Sequence, residues 1–257
     1  MKRLVVTGIP CRPAAWEAFL GPSKHQRILS MFEIFENTQS SDPRQLAEYV
    51  QSQIEAYQPQ SIVCHNMGVP LTILSLLRLR KRGVGLRTRL TLFDGAFRRV
   101  DVFRANQPLR IQFMSMNQAI REVESHGCQI DRRLEKHFGR IRAMYRMILL
   151  YGMVEKVSSS LGLEHFLGLP SRFPLRIPIQ MIVSTNDPYI PADAITQLRI
   201  DCGVQRYFTT EYGHFPYTGD RSKILGLLDE FERMAFSLDT PSKHIKHDRG
   251  AVSEARS

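Results

Sequence analysis

Residues 59–80, PQSIVCHNMGVPLTILSLLRLR, constrain the fold of this chain more than any other stretch. Ser61 to Cys64 is a short apolar run and reads as a buried strand. Asn66-Met67-Gly68 is a sharp turn. From Pro70 the apolar residues Leu71, Leu74 and Leu77 recur at helical spacing. A strand that turns directly into a helix is the repeating step of a parallel sheet, because the helix carries the chain back to where the next strand begins.

The same step recurs along the chain. Leu4 to Val6 reads as a strand that ends in the turn-rich Thr7-Gly8-Ile9-Pro10-Cys11, followed by a short helix around Trp16 and Phe19. MFEIFE, residues 31–36, mixes apolar and acidic residues and is expected to be a second strand. Ser41-Asp42-Pro43 starts a helix, with Asp42 as cap and Pro43 at the first position. LTLF, residues 90–93, is a further strand ending at Asp94. Residues 176–183 restore the strand pattern and end in Ser184-Thr185-Asn186-Asp187-Pro188. Val204 to Thr209 is a last strand, ending in Glu211-Tyr212-Gly213-His214. A closing helix covers residues 223–236. Strands alternating with helices define an α/β class with a doubly wound, mostly parallel sheet.

Residues 97–170 break this rhythm. They hold few strand signals, and residues 141–157 are helical, with Met144, Met147 and Met153 as adaptable apolar filler. The expected organisation is a core of residues 1–96 and 171–238, an inserted helical cap at 97–170 and a disordered polar tail at 239–257. The cap carries eleven basic residues against five acids between residues 98 and 150. A solvated helical face accounts for that balance. An anionic ligand or an acidic carrier protein docking there is the alternative.

The formal net charge of +10 is spread along the chain. With no zinc-finger, helix-turn-helix or RNA-binding signature, nucleic acid is not an expected partner. No apolar run approaches the roughly 20 residues of a membrane span. The start of the sequence has no long apolar region. The four cysteines, Cys11, Cys64, Cys128 and Cys202, lie far apart, and read as reduced thiols in a cytoplasmic protein. No metal spacing and no G-x-G-x-x-G pattern is present, so neither metal nor cofactor is expected.

Four segments together resemble the α/β-hydrolases over residues 3–236. LVVTGIPCRPAAW is similar to that family's H-G-x-P loop, with Thr7 where His is common. SIVCHNMGV is similar to the nucleophile elbow, usually G-x-S-x-G, with Asn66 in place of the central serine. IVSTNDPYIP is similar to the acid loop and EYGHFPY to the histidine loop. The resemblance implies His214 as general base, Asp187 as its acid partner, backbone amides of Ile9 and Met67 as an oxyanion hole, and a lid over a small-molecule pocket. Asp94 is the reserve acid.

Asn66 changes what such a site does. A carboxamide is a poor nucleophile, and a base cannot activate it as it activates a hydroxyl. Asparagine does tolerate positive φ better than most residues with a Cβ, so it keeps the turn. Two functions follow. One is an enzyme acting on a small carbonyl- or ester-type substrate through His214, Asp187 and Asn66 without an acyl-enzyme, by lyase, isomerase, cyclase or atypical hydrolase chemistry. The other is a catalytically silent hydrolase fold that binds a small molecule or a protein. Cys64 and Cys11 are the lesser candidate nucleophiles, and His65 reads as a packed histidine.

Overall fold

The computed structural model describes residues 1–95, 113–157 and 175–234, with the backbone alone for 148–157. Six strands, β1 (Arg3–Val6), β2 (Gln26–Leu29), β3 (Ser61–His65), β4 (Arg89–Phe93), β5 (Ile179–Ser184) and β6 (Arg206–Thr210), form one sheet. Its order is β2-β1-β3-β4-β5-β6, and every pairing is parallel. The helices are α1 (Pro13–Leu20), α2 (Met31–Thr38), α3 (Pro43–Tyr57), α4 (Gly68–Lys81), α5 (Met116–Ser125), α6 (Arg133–Val157), α7 (Ala192–Cys202) and α8 (Arg221–Arg233).

Side-chain alternation along the strands divides the core into two layers. Leu4, Val6, Ile62, Cys64, Leu90, Leu92, Met181 and Val183 face one apolar cluster, which includes residues of α2, α3, α4, α6 and α7. Val5, Val63, Phe93 and Ile182 face the other, with Trp16 and Phe19 of α1 and Ile224 and Leu228 of α8. At the amino-terminal end of the sheet a buried carboxylate joins three elements. Glu232 of α8 accepts from Arg3 Nε at 2.7 Å and Nη2 at 2.5 Å, and from Ser61 Oγ at 2.7 Å.

The MFEIFE segment is a helix, α2, which corrects the strand expected there; the second strand is residues 26–29. The apolar pairs 31/32 and 34/35 recur every three residues and are all buried, which is helical spacing. Ser30 Oγ accepts from Glu33 N at 3.2 Å and caps the helix. Glu33 and Glu36 sit on the outer side, and α6 is pinned to α2 through the second of them. The Glu36 carboxylate meets Arg133 Nη1 at 3.2 Å, Lys136 Nζ at 3.7 Å and His137 Nε2 at 3.4 Å. Arg140 adds a bond to Phe35 O at 2.8 Å.

α5 and α6 lie between β4 and β5 in the chain. α5 opens with a capping box, Ser115 and Gln118 each bonding the other's backbone amide. α6 begins eight residues before the helix expected at 141–157. Arg98, Arg99, Arg104, Arg110 and the 239–257 tail lie outside the described residues. No described helix is long and apolar enough to cross a membrane.

Candidate active site

β1 and β3 are neighbours in the sheet, and the chain leaves them in opposite directions across it. That reversal opens a crevice at their carboxyl ends, where open α/β sheets bind ligands. Gly8 and Ile9 follow β1, Asn66 follows β3, Asp94 follows β4, Asp187 follows β5 and His214 follows β6. The topology alone therefore brings all the sequence-predicted residues to one end of the sheet.

The turn after β3 is tight. Asn66 has φ of 51°, in the left-handed region, and its amide donates to Asp94 O at 2.9 Å. Gly68 must lack a side chain, because a Cβ there would sit 2.1 Å from Val6 O. The loop after β1 presses on the turn equally closely. A Cβ on Gly8 would lie 2.5 Å from Asn66 Cβ and 2.9 Å from its Oδ1.

Asp187, Asn66 and His214 form one hydrogen-bonded chain. His214 Nδ1 is 2.7 Å from Asp187 Oδ2, and Asn66 Nδ2 is 2.5 Å from His214 Nε2. The carboxylate can only accept, so the imidazole proton sits on Nδ1, and Nε2 accepts from the carboxamide. Asn66 Oδ1 in turn accepts from Met67 N at 2.5 Å. The asparagine thus fills both the basic nitrogen and one of the two expected oxyanion amides.

The partners are held by their own loops. Asp187 Oδ1 accepts from the amides of Tyr189 at 2.7 Å and Ile190 at 3.1 Å, which aims Oδ2 at the imidazole. Asn186 Oδ1 accepts from Gly213 N at 2.8 Å and ties the acid loop to the histidine loop. The His214 ring is packed between Tyr189 at 4.9 Å, His65 at 4.9 Å and Phe215 at 5.0 Å. Burial lowers its pKa from the ordinary value, and the Asp187 charge and hydrogen bond only partly oppose that. The ring is neutral at pH 7. Asp94 does not pair with His214. Its Oδ1 accepts from Ser184 N at 3.0 Å, and burial, then the Asp187 charge, push its carboxyl well above the usual range.

A pocket of about 70 Å³ opens at the loop after β1, and Asn66, Asp187 and His214 are not among the residues that line it. Ile9 and Pro10 form one wall, Ala119 and Val123 of α5 another, and Leu134 and Phe138 of α6 a third. Cys64 is buried in the same apolar cluster as Leu134 and Ile141 of the pocket wall, and burial raises its pKa. Among the described residues no group of three or more His, Cys, Asp or Glu could hold a metal ion. Sequence reading missed how thoroughly Asn66 is engaged. It also missed the surroundings of Cys11, whose partners Cys128 and Tyr217 lie far away in the chain.

Fold and site together define an α/β protein whose polar residues converge on the carboxyl ends of a parallel sheet. No family model and no curated protein matches the sequence. Solved structures do match. RedJ, a thioesterase from the prodiginine biosynthetic pathway in Streptomyces coelicolor, aligns with a TM-score of 0.60 at 19% identity, over 89% of this chain and 88% of that one. The type II thioesterase BorB from the borrelidin biosynthetic cluster aligns at 0.54 and 16%, over 90% and 93%. An epoxide hydrolase mutant from Bacillus megaterium aligns at 0.54 and 15%, over 89% and 92%. The chain has the α/β-hydrolase fold.

Proposed function

We propose that this protein is a cofactor-independent enzyme in which His214, oriented by Asp187, moves a proton to or from a small carbonyl- or thioester-type substrate. The observation that carries the reading is the buried 2.7 Å contact between His214 Nδ1 and Asp187 Oδ2, each side chain only 2% exposed. A buried ionised carboxylate is costly unless it is paired, and here it fixes one tautomer of the ring. That leaves Nε2 as a base facing the turn after β3. The substrate carbonyl takes the place of the Asn66 side-chain oxygen at Met67 N, with Ile9 N as the second donor. Asn66 then anchors the substrate by a hydrogen bond. Its carboxamide does not attack, so no acyl-enzyme forms.

α5 and α6 act as the lid over this crevice in our reading, and the apolar walls of the pocket suit an acyl or aliphatic group. The thioesterases among the structural neighbours support a thioester as the first substrate class to try. Arg133, Lys136 and Arg140 are engaged with α2, whereas Arg121, Arg132 and Arg146 are exposed. Those three suit an anionic substrate or an acidic carrier, whose binding weakens as salt rises.

One observation favours a second function. Asn66 saturates His214 Nε2 and Met67 N at once, as a bound ligand would, and that suits a silent binding module. Turnover of a panel of acyl thioesters and esters separates the two. The enzyme reading expects slow turnover that His214→Gln and Asp187→Asn both reduce at least about a hundredfold, the usual scale of general acid–base catalysis. Turnover that survives both substitutions, or no turnover with saturable ligand binding, supports the binding module instead.

A further inference from the structure

Behind the His214 ring lies a second cluster of reactive groups that the proposed chemistry does not use. Cys11 is fully buried in the loop after β1, and Cys128 is 6% exposed in the connection between α5 and α6. The two segments are paired backbone to backbone. Cys11 bridges Ile130 in antiparallel fashion, Arg12 N donates to Gln129 O at 2.9 Å, and Asp131 N donates to Pro10 O at 3.0 Å. Side chains two residues apart share a face of such a pairing, so Cys128 is one of the two residues diagonal to Cys11 on its own face, with Arg132 the other. One hydroxyl touches both sulfurs: Tyr217 Oη is 3.7 Å from Cys11 Sγ and 3.7 Å from Cys128 Sγ.

His65 completes the cluster. Its Nε2 lies 2.8 Å from His214 O. A carbonyl only accepts, so Nε2 carries the proton and Nδ1 is a bare acceptor. That Nδ1 is buried without a hydrogen-bond partner. Burial would raise the Cys11 pKa, but the side chains of Cys128, His65 and Tyr217 outweigh it and hold the thiol well below its ordinary value. Cys128 moves the other way, raised by its contact with Cys11 and then by burial. An attacking thiolate beside a protonated thiol is the division of labour that disulfide formation needs.

We propose that Cys11 and Cys128 are a peroxide-sensitive pair that closes to a disulfide between the loop after β1 and the α5–α6 connection. Cys11 gives up its proton, and its sulfur attacks one oxygen of hydrogen peroxide. The S–O bond forms, the O–O bond breaks, and the departing hydroxide takes the proton back as water. The Cys128 sulfur then attacks the Cys11 sulfenic acid. The S–S bond forms, the S–O bond breaks, and the Cys128 proton leaves with the hydroxyl as a second water. The thiols are oxidised by two electrons and peroxide is reduced to water. Ile9, Pro10 and Val123 line the pocket on either side of this bond, so oxidation fastens two of its walls together.

The test treats the reduced full-length chain with stoichiometric hydrogen peroxide, unfolds it, blocks remaining thiols with N-ethylmaleimide and maps the peptides. The expected result is a Cys11–Cys128 linked peptide pair that dithiothreitol releases, with Cys64 and Cys202 alkylated. Equal alkylation of all four cysteines, or a linkage to any other cysteine, overturns the proposal. In Cys128→Ser the reaction is expected to stop at a Cys11 sulfenic acid that dimedone traps. A folded variant with no trapped adduct overturns the assignment of Cys11 as the attacking sulfur.

Discussion

Replacing Asn66 by serine asks whether the machinery around it is assembled. The carboxamide makes two hydrogen bonds, one to His214 Nε2 and one from Met67 N. Each contributes about 1 kcal/mol, and holding serine at the φ of 51° adds about 1 kcal/mol over asparagine. The serine hydroxyl regains about 1 kcal/mol by donating to Nε2, so the net loss is about 2 kcal/mol. In a chain of this size that lowers Tm by about 4–8 °C and leaves the protein folded. The backbone turn stays, because Gly68 and Val6 fix it. The new hydroxyl faces a neutral imidazole whose other nitrogen is held by Asp187, and Met67 N is released to receive an oxyanion. A fluorophosphonate probe should therefore add once to Asn66→Ser near neutral pH, as read by intact mass. It should add neither to the wild type nor to Asn66→Ser carrying His214→Gln. No adduct on a folded Asn66→Ser would refute the reasoning, and so would equal labelling of the wild type.

Four further outcomes follow from the packing and charge. Gly8→Ala places a methyl 2.5 Å from Asn66 Cβ and should cost about 1–3 kcal/mol in a denaturant titration, while Gly85→Ala, with open space around it, should cost far less. Burial holds the folded-state pKa of His214 below its unfolded value. Its contribution to stability is therefore full above about pH 6.5 and is lost as pH falls from there toward the folded pKa. The denaturation midpoint of wild type should drop more steeply below that pH than that of His214→Gln, and parallel curves would contradict it. Glu232→Ala removes two charge-assisted bonds from the Arg3 guanidinium, whose side chain is 16% exposed, and leaves it Gln26 at 3.2 Å and Asp229 at 3.9 Å; the loss should cost about 3 kcal/mol. Ser61→Ala removes one bond to the same carboxylate and should cost about 1 kcal/mol by the same measurement.

The sheet was legible because its strands are short apolar runs that each end in a turn, and the loops carrying Asp187 and His214 follow them directly. MFEIFE misled because six residues fit a strand on composition. Only the spacing of Glu33 and Glu36, together with Ser30 as a cap, distinguishes the helix. The partners of Asn66 were not legible, since its two bonds depend on how closely Gly8 and His214 approach it in space. Cys11 and Cys128 looked unrelated for a similar reason. They are more than a hundred residues apart and meet through an antiparallel bridge that no local pattern announces.

The turn after β3 owes its shape to Gly68, Val6 and the backbone of Asp94, and not to what the Asn66 side chain does. That has a genetic consequence. Every asparagine codon becomes a serine codon by one change of its middle base. The gene therefore lies a single transition away from placing a hydroxyl at the end of an already oriented histidine and aspartate. Serine at this position is thus one of the shortest mutational steps available to this chain.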